Sequence, residues 1–320
     1  NGKHHIDKKD INAALKQLKS NSITQGKKIN EFEKKLCNQI NAKYCCVTSN
    51  GTASLHLIAL ALGWKKNDII ITTPLSFLAT SNCIEYVGAT TVFVDIDSKS
   101  YCIDPIKVEN KIKELKVKKR KVRAIIAVDF AGNPCDWIKL KKIAIKYNLK
   151  LINDFCHSLG AEYEGTNKYS LKYADVASLS FHAVKNITTG EGGAVLTNDK
   201  KLNDKISILR SHGMERDDYK IKKKGLWYNE MRSIGYNYRL TDFQCALGIS
   251  QLSKLKKFIS KKRKIAKLYD KAFANNNNFC VPESTKNSKH AYHLYPLQIN
   301  FKKFKISKKN FFKKMYLNGI

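Results

Sequence analysis

The stretch 176–198, VASLSFHAVKNITTGEGGAVLTN, reads as two short strands joined by a polar turn. Val176 to Phe181 alternates in the manner of a buried strand, and Gly193 to Thr197 is a second β-prone segment. Lys185 sits in the connection. In a chain with 59 Lys and Arg, a turn lysine is ordinarily a solvated one. Its neighbours argue otherwise. Ser180 and His182 put a hydroxyl and an imidazole beside the amine, and Gly190, Gly192 and Gly193 allow another group to approach the backbone closely. A nucleophilic lysine must be partly neutral near pH 7, which requires desolvation or a nearby cation, and a loop wedged between buried strands supplies the first.

Outward from this loop, strands alternate with helices. Asp7 caps a helix over 6–19 with apolar positions at Ile11, Ala14, Leu15 and Leu18, and a second helix follows the polar turn Asn21, Ser22, Ile23, Thr24. Tyr44 to Thr48 is a strand, after which Asn50, Gly51, Thr52 and Ala53 open an apolar helix. Such a helix tip is either a phosphate cup, with free N–H groups and the positive end of the helix dipole, or an ordinary capped end. Further strands are expected at 68–73, 90–97, Arg123 to Asp129 and Leu149 to Asn153, with a helix over Ile138 to Tyr147. Alternation of this kind predicts an α/β fold with a mainly parallel sheet and ligands at the carboxyl ends of its strands. Asp154 stands at one such end, either capping the next turn or serving a ligand, with His157 three residues on. Phe77 alone reads as core.

The length of 320 residues implies about two domains, a large one over 1–250 and a smaller one over 251–320. No apolar run approaches a membrane span and the N-terminus lacks a signal-peptide core, so a cytoplasmic protein with no membrane partner is expected. Nine cysteines without a C-x-x-C pair offer neither a metal site nor a disulfide framework. The formal charge of +32 raises the possibility of a basic nucleic-acid binder. Against it, the lysines are dispersed, the one dense run, 116–123, precedes a strand, and no aromatic interleaving accompanies it. No nucleic-acid partner is expected. The charge instead suits an anionic substrate such as a nucleotide diphosphate. The chain begins without Met and stops after a helix at 307–316 followed by Gly319 and Ile320, as a fragment with an incomplete small domain would.

The string SFHAVKNITTGEGGAV at 180–195 closely resembles the lysine segment of the DegT/DnrJ/EryC1/StrS sugar aminotransferases, and further matches recur along nearly the whole chain. The resemblance implies a fold type I aminotransferase with a smaller C-terminal α/β domain, a homodimer, and the cofactor pyridoxal 5'-phosphate (PLP). It makes Lys185 the catalytic lysine that carries the cofactor, and Gly51, Thr52 and Ala53 the phosphate cup. Phe77 stacks on the cofactor ring, Asp154 faces its nitrogen, His157 lies by its phenolic oxygen, and Ser180 meets the phosphate. Asn237 reaches the neighbouring subunit's cofactor. In the branch of the family that serves pseudaminic acid biosynthesis, the sugar is met by Asn21, Ser22, Ile23 and Thr24, by Gly51, Ser180 and Asn237, and by His293, Leu294, Tyr295 and Pro296. Position 1, an aromatic in the family, is Asn here. The implied reaction transfers an amino group, glutamate being the expected donor, to C4 of a UDP-linked 4-keto-6-deoxy-N-acetylhexosamine. Another nucleotide-linked keto sugar is the alternative.

Overall fold

The computed structural model describes residues 3–215, 223–225 and 227–320, so that Asn1, Gly2, residues 216–222 and Leu226 lie outside them. Seven strands form the central sheet: β1 (Tyr44–Thr48), β2 (Asp68–Thr72), β3 (Thr90–Phe93), β4 (Lys121–Val128), β5 (Lys150–Asp154), β7 (Val176–Ser180) and β8 (Gly193–Thr197). A two-residue strand, β6 (Glu162–Tyr163), pairs elsewhere. The order is β1-β8-β7-β5-β4-β2-β3. The run from β7 to β3 is parallel, and β8 is antiparallel to both its neighbours. Helices carry the parallel crossovers, whereas the connection 181–192 holds no helix and turns back on itself, so that β8 runs antiparallel to β7.

The strands bury both faces, which is why they read as near-continuous apolar runs. Ile71, Ile125, Leu151 and Leu179 point to one side, where α2 (Lys27–Ile40), α5 (Pro105–Val117) and α6 (Trp137–Lys146) pack. Ile70, Ile126, Ile152 and Val195 point to the other, against α3 (Gly51–Ala61), α4 (Ala79–Glu85) and α8 (Lys200–Arg210). Asp104, Asp136 and Asp199 accept backbone hydrogen bonds at the starts of α5, α6 and α8, satisfying amides that have no partner within the helix. The run 116–123 is the solvated end of α5 and the exposed start of β4.

Helix α1 (Lys8–Leu18) forms where expected, capped by Asp7, but its apolar stripe is not its buried face. Ile11 is 55% exposed, while Asp10 is fully buried. The carboxylate of Asp10 accepts hydrogen bonds from Ser250 Oγ at 2.7 Å and Gln251 Nε2 at 2.8 Å, and it pairs with Lys254. A polar clamp therefore docks α1 on the later helix α9 (Asp242–Leu252), in place of the expected apolar contact.

Helix α7 (Ser170–Tyr173) precedes β7, and β9 (Met214–Glu215) pairs with β10 (Glu230–Met231) beyond α8. After α9 come α10 (Leu255–Phe273), the strand pair β11 (Phe279–Cys280) and β13 (Gln298–Ile299), and α11 (Lys308–Leu317). Between them β12 (Ser288–Lys289) pairs with β6. Arg263 on α10 fastens this region to the sheet domain, donating to His290 O at 2.9 Å and to Glu162 Oε1 at 3.0 Å. Among the described residues no helix is long and apolar enough to cross a membrane, and no group of His, Cys, Asp and Glu is arranged to hold a metal ion.

Candidate active site

Val128, Asp154 and Ser180 are the last residues of β4, β5 and β7, and all three line one cavity of about 1180 Å³. This is the carboxyl edge of the parallel strands, where helix N-termini converge and ligands collect in folds of this kind. Lys185 lines the same cavity. Its loop is held at the base by Phe181 N donating to Gly192 O at 2.7 Å and Thr189 N donating to Phe181 O at 2.9 Å. At its far side the buried Asn186 donates to His157 O at 3.1 Å and Leu159 O at 2.9 Å. The amine thus stands on a turn fixed at both ends and at its middle.

Against the feet of the loop lies the tip of α3. Asn50 Oδ1 accepts from Ala53 N at 2.8 Å, which leaves the Gly51 and Thr52 amides, for which the helix has no acceptor, fronting the cavity. Two glycines let the tip come this close. A Cβ on Gly51 would stand 2.8 Å from Ser180 Cβ, and one on Gly193 would stand 2.5 Å from the carbonyl carbon and oxygen of Asn50. The helix tip with its positive dipole end, the Ser180 hydroxyl and the loop amine form an anion seat beside a nucleophile.

Lining the same cavity, Asp154 accepts from Thr80 Oγ1 at 2.7 Å and from Cys156 N at 3.3 Å. A carboxylate oriented by two donors and almost wholly buried suits a cationic or protonated nitrogen in front of it. His157 and His293 lie ring on ring at 4.3 Å between centroids, and both line the cavity. Burial pushes the His157 imidazole well below its usual range, and the charges of Lys185, His293 and Lys262 add to this. His293 is pushed down to about 3 by burial, then by Lys185 and Lys262. Both rings are therefore neutral, and His157 Nδ1 accepts from Ala131 N at 3.3 Å. Burial, with Asp154 next, raises the Cys156 thiol well above its ordinary value, which keeps it protonated.

The structure brings Gly51, Thr52, Ala53, Phe77, Asp154, His157, Ser180, Lys185, His293 and Leu294 to this one cavity, from segments distant in sequence. Phe77 is 67% exposed at its lip, so the core reading of that ring was wrong. The other expected residues are elsewhere. Tyr295 and Pro296 do not line the cavity: Tyr295 Oη donates to Asp270 Oδ1 at 2.7 Å, so the HLYP segment splits after Leu294. Asn21, Ser22, Ile23 and Thr24 lie outside it as well, with Thr24 bridged to Thr241 and Ile23 O accepting from Asp242 N. Asn237, exposed, is bridged to Ser211 on the same side of the molecule. Within one chain these seven residues are not among those that line the cavity.

Several lining residues were not anticipated. His56 sits among Tyr86, Tyr236 and Tyr238, with its Nδ1 3.2 Å from Tyr238 Oη, and Glu191 Oε1 lies 3.8 Å from His182 Nε2 at the mouth. Thr80, which orients Asp154, reads in sequence as an ordinary helix residue. Only His56, an imidazole on an otherwise apolar helix face, carried a visible signal.

The donor set fits PLP. A helix tip cleared by two glycines matches a phosphate, and a buried carboxylate and a lysine line the same cavity. Comparison with known proteins agrees. The model of the DegT/DnrJ/EryC1/StrS aminotransferase family matches residues 4–320. The UDP-4-amino-4,6-dideoxy-N-acetyl-beta-L-altrosamine transaminase of Campylobacter jejuni serotype O:23/36 is 42% identical over 316 residues, covering 99% of this chain and 80% of that protein. Helicobacter pylori PseC, an aminotransferase of pseudaminic acid biosynthesis, superposes with a TM-score of 0.88 at 36% identity, over 100% of this chain and 82% of its own. Streptococcus pneumoniae Spr1654, solved in a PLP form, gives a TM-score of 0.82 at 27% identity over 93% of this chain and 77% of that one. Lysine loop, helix tip and buried carboxylate thus stand in the fold of these enzymes, and the chain belongs to the DegT/DnrJ/EryC1/StrS aminotransferase family, PLP-dependent enzymes that aminate nucleotide sugars.

Proposed function

We propose that this protein transfers an amino group, with glutamate as donor, to C4 of a UDP-linked 4-keto-6-deoxy-N-acetylhexosamine, as in pseudaminic acid biosynthesis. The observation that carries the reading is the convergence of Lys185, the α3 tip and Asp154 on one cavity in a chain 42% identical to a transaminase of that substrate class. Bound PLP supplies an aldehyde that condenses with amines and a ring that takes up the electron pair released at the amine carbon.

The chain's own residues do the rest. Gly51 and Thr52 amides and the Ser180 hydroxyl bind the phosphate; Phe77 covers one ring face. Asp154, held by Thr80, keeps a proton on the ring nitrogen. Lys185 is the nucleophile that would hold the cofactor, and its amine, once free, would serve as the base and acid that moves the proton of the transfer. The neutral His157 and His293 add no charge beside that amine. His293 and Leu294 line the wall toward the sugar.

In the same reading the protein works as a homodimer. Asn21, Ser22, Ile23, Thr24 and Asn237 do not line this chain's own cavity, which suits them to serving the partner's. Residues 1–250 then form the cofactor domain, and 251–320 a smaller one.

The test is to incubate the protein with PLP, glutamate and a panel of UDP-, TDP- and GDP-linked 4-keto-6-deoxy sugars, and to follow products by mass spectrometry. Amino-sugar product with the UDP-N-acetyl substrate, and none with Lys185→Ala, is expected. Turnover confined to a TDP- or GDP-linked sugar would overturn the substrate, and turnover by the alanine variant would overturn the lysine.

A further inference from the structure

Lys262 lies on α10, half-buried, one residue before the Arg263 that fastens the C-terminal region to the sheet. Its Nζ donates to Asn186 Oδ1 at 2.6 Å. Asn186 is the residue after Lys185, and its own amide donates to His157 O and Leu159 O. Among the described residues no carboxylate pairs with Lys262. The titratable groups that face it are Lys185 on the loop, His157 after β5 and His293 before α11, none of them a carboxylate. Burial, then the charge of Lys185, pushes its ammonium down to about 8.

A buried cation without a counter-ion is costly, and it persists where its hydrogen bond fixes something. Here that is the orientation of Asn186, whose side chain can clamp two carbonyls only if its oxygen is turned to a donor on the other side. Lys262 supplies that donor. We propose that Lys262 is a positioning residue for the transamination, holding the Lys185 loop against the cofactor cavity through Asn186. The proposal rests on the PLP reading above. It makes the first helix after residue 250 part of the machinery that aims the nucleophile, although it does not line the cavity itself.

The test uses apoprotein and follows, by absorbance of the bound chromophore, how fast PLP is captured. Lys262→Met is expected to slow capture about tenfold with little change in melting temperature, as misaimed groups do, and Lys262→Arg to recover to within about threefold. Asn186→Ala should slow it by a similar factor, and the double variant no further, since the two act as one unit. If Lys262→Met does not fold, Lys262→Gln replaces it. Capture at the wild-type rate in Lys262→Met or its replacement, or losses that multiply in the double variant, each overturn the proposal. Failure of the wild-type protein to capture PLP would instead sink the functional reading beneath it.

Discussion

Thr80 shows how much a single hydroxyl contributes at this site. It is fully buried on α4 and gives Asp154 its shorter hydrogen bond, 2.7 Å. Hydrogen bonds to a charged group contribute about 1.5–3 kcal/mol when buried. Thr80→Val keeps shape and volume but removes the donor, so PLP affinity should fall by about tenfold or more with the fold intact. A titration by absorbance measures it, and an unchanged dissociation constant would show that Asp154 needs no such support. Residues of this kind were not legible in the sequence. Lys185 and Asp154 announce themselves by chemical type at strand ends, whereas Thr80, Asn186 and Lys262 act through contacts that only folding creates. Asp10 is the converse case: as a charged residue in a helix it reads as solvated, yet it is the buried side of α1.

At the scale of elements, sequence and structure agree best where period and burial coincide. The strand at 193–197 and the helix cap at Asp7 fall where patterning places them, because both depend on neighbours in the chain. The HLYP segment was read as one pocket-facing unit, but Tyr292 with φ 50° and the Tyr295–Asp270 bond turn the chain, so that only its first half reaches the cavity. The contact between β8 and α3 is the most demanding one between elements. Gly193→Ala would press a methyl carbon 2.5 Å from the Asn50 carbonyl. Backbone on both sides leaves little room to yield, so a loss of about 1–3 kcal/mol is expected, together with weaker PLP binding as the α3 tip is displaced. Denaturant unfolding and cofactor titration of the same variant test both; loss of stability with intact binding would show that the tip moves independently of the sheet.

For the whole molecule, buried imidazoles set the response to acid. His290 is pushed down to about 3 by burial, then by Arg263, and His293 to about 3 by burial, then by Lys185. The unfolded chain protonates these rings below about pH 6.5 and the folded chain does not, so stability falls as pH drops from 6.5 towards 3. The limiting slope is about 1.4 kcal/mol per pH unit for each ring. Asp129 acts in the opposite sense: burial pushes its carboxyl up to about 6, against hydrogen bonds from Tyr169, Cys135, Ser158 and Trp137. Between its ordinary value of 3.8 and 6 the folded chain holds the extra proton, so this contribution grows as pH falls. Two rings outweigh one carboxyl, and the melting temperature should be lower at pH 5 than at pH 7. His290→Gln should lessen that drop; an equal drop in the variant would assign acid sensitivity elsewhere.

The loop bearing Lys185 leaves the sheet at Ser180, beside Gly51, and returns at Gly193, beside Asn50. Both of its feet therefore stand on the same helix tip, and the span from that tip to the amine is a built-in ruler. A small molecule held at its two ends by this ruler has its length checked before any chemistry begins. A pyridoxal homologue with one more methylene in its phosphate arm carries every functional group the site recognises, yet it is the wrong length to be gripped at both ends at once.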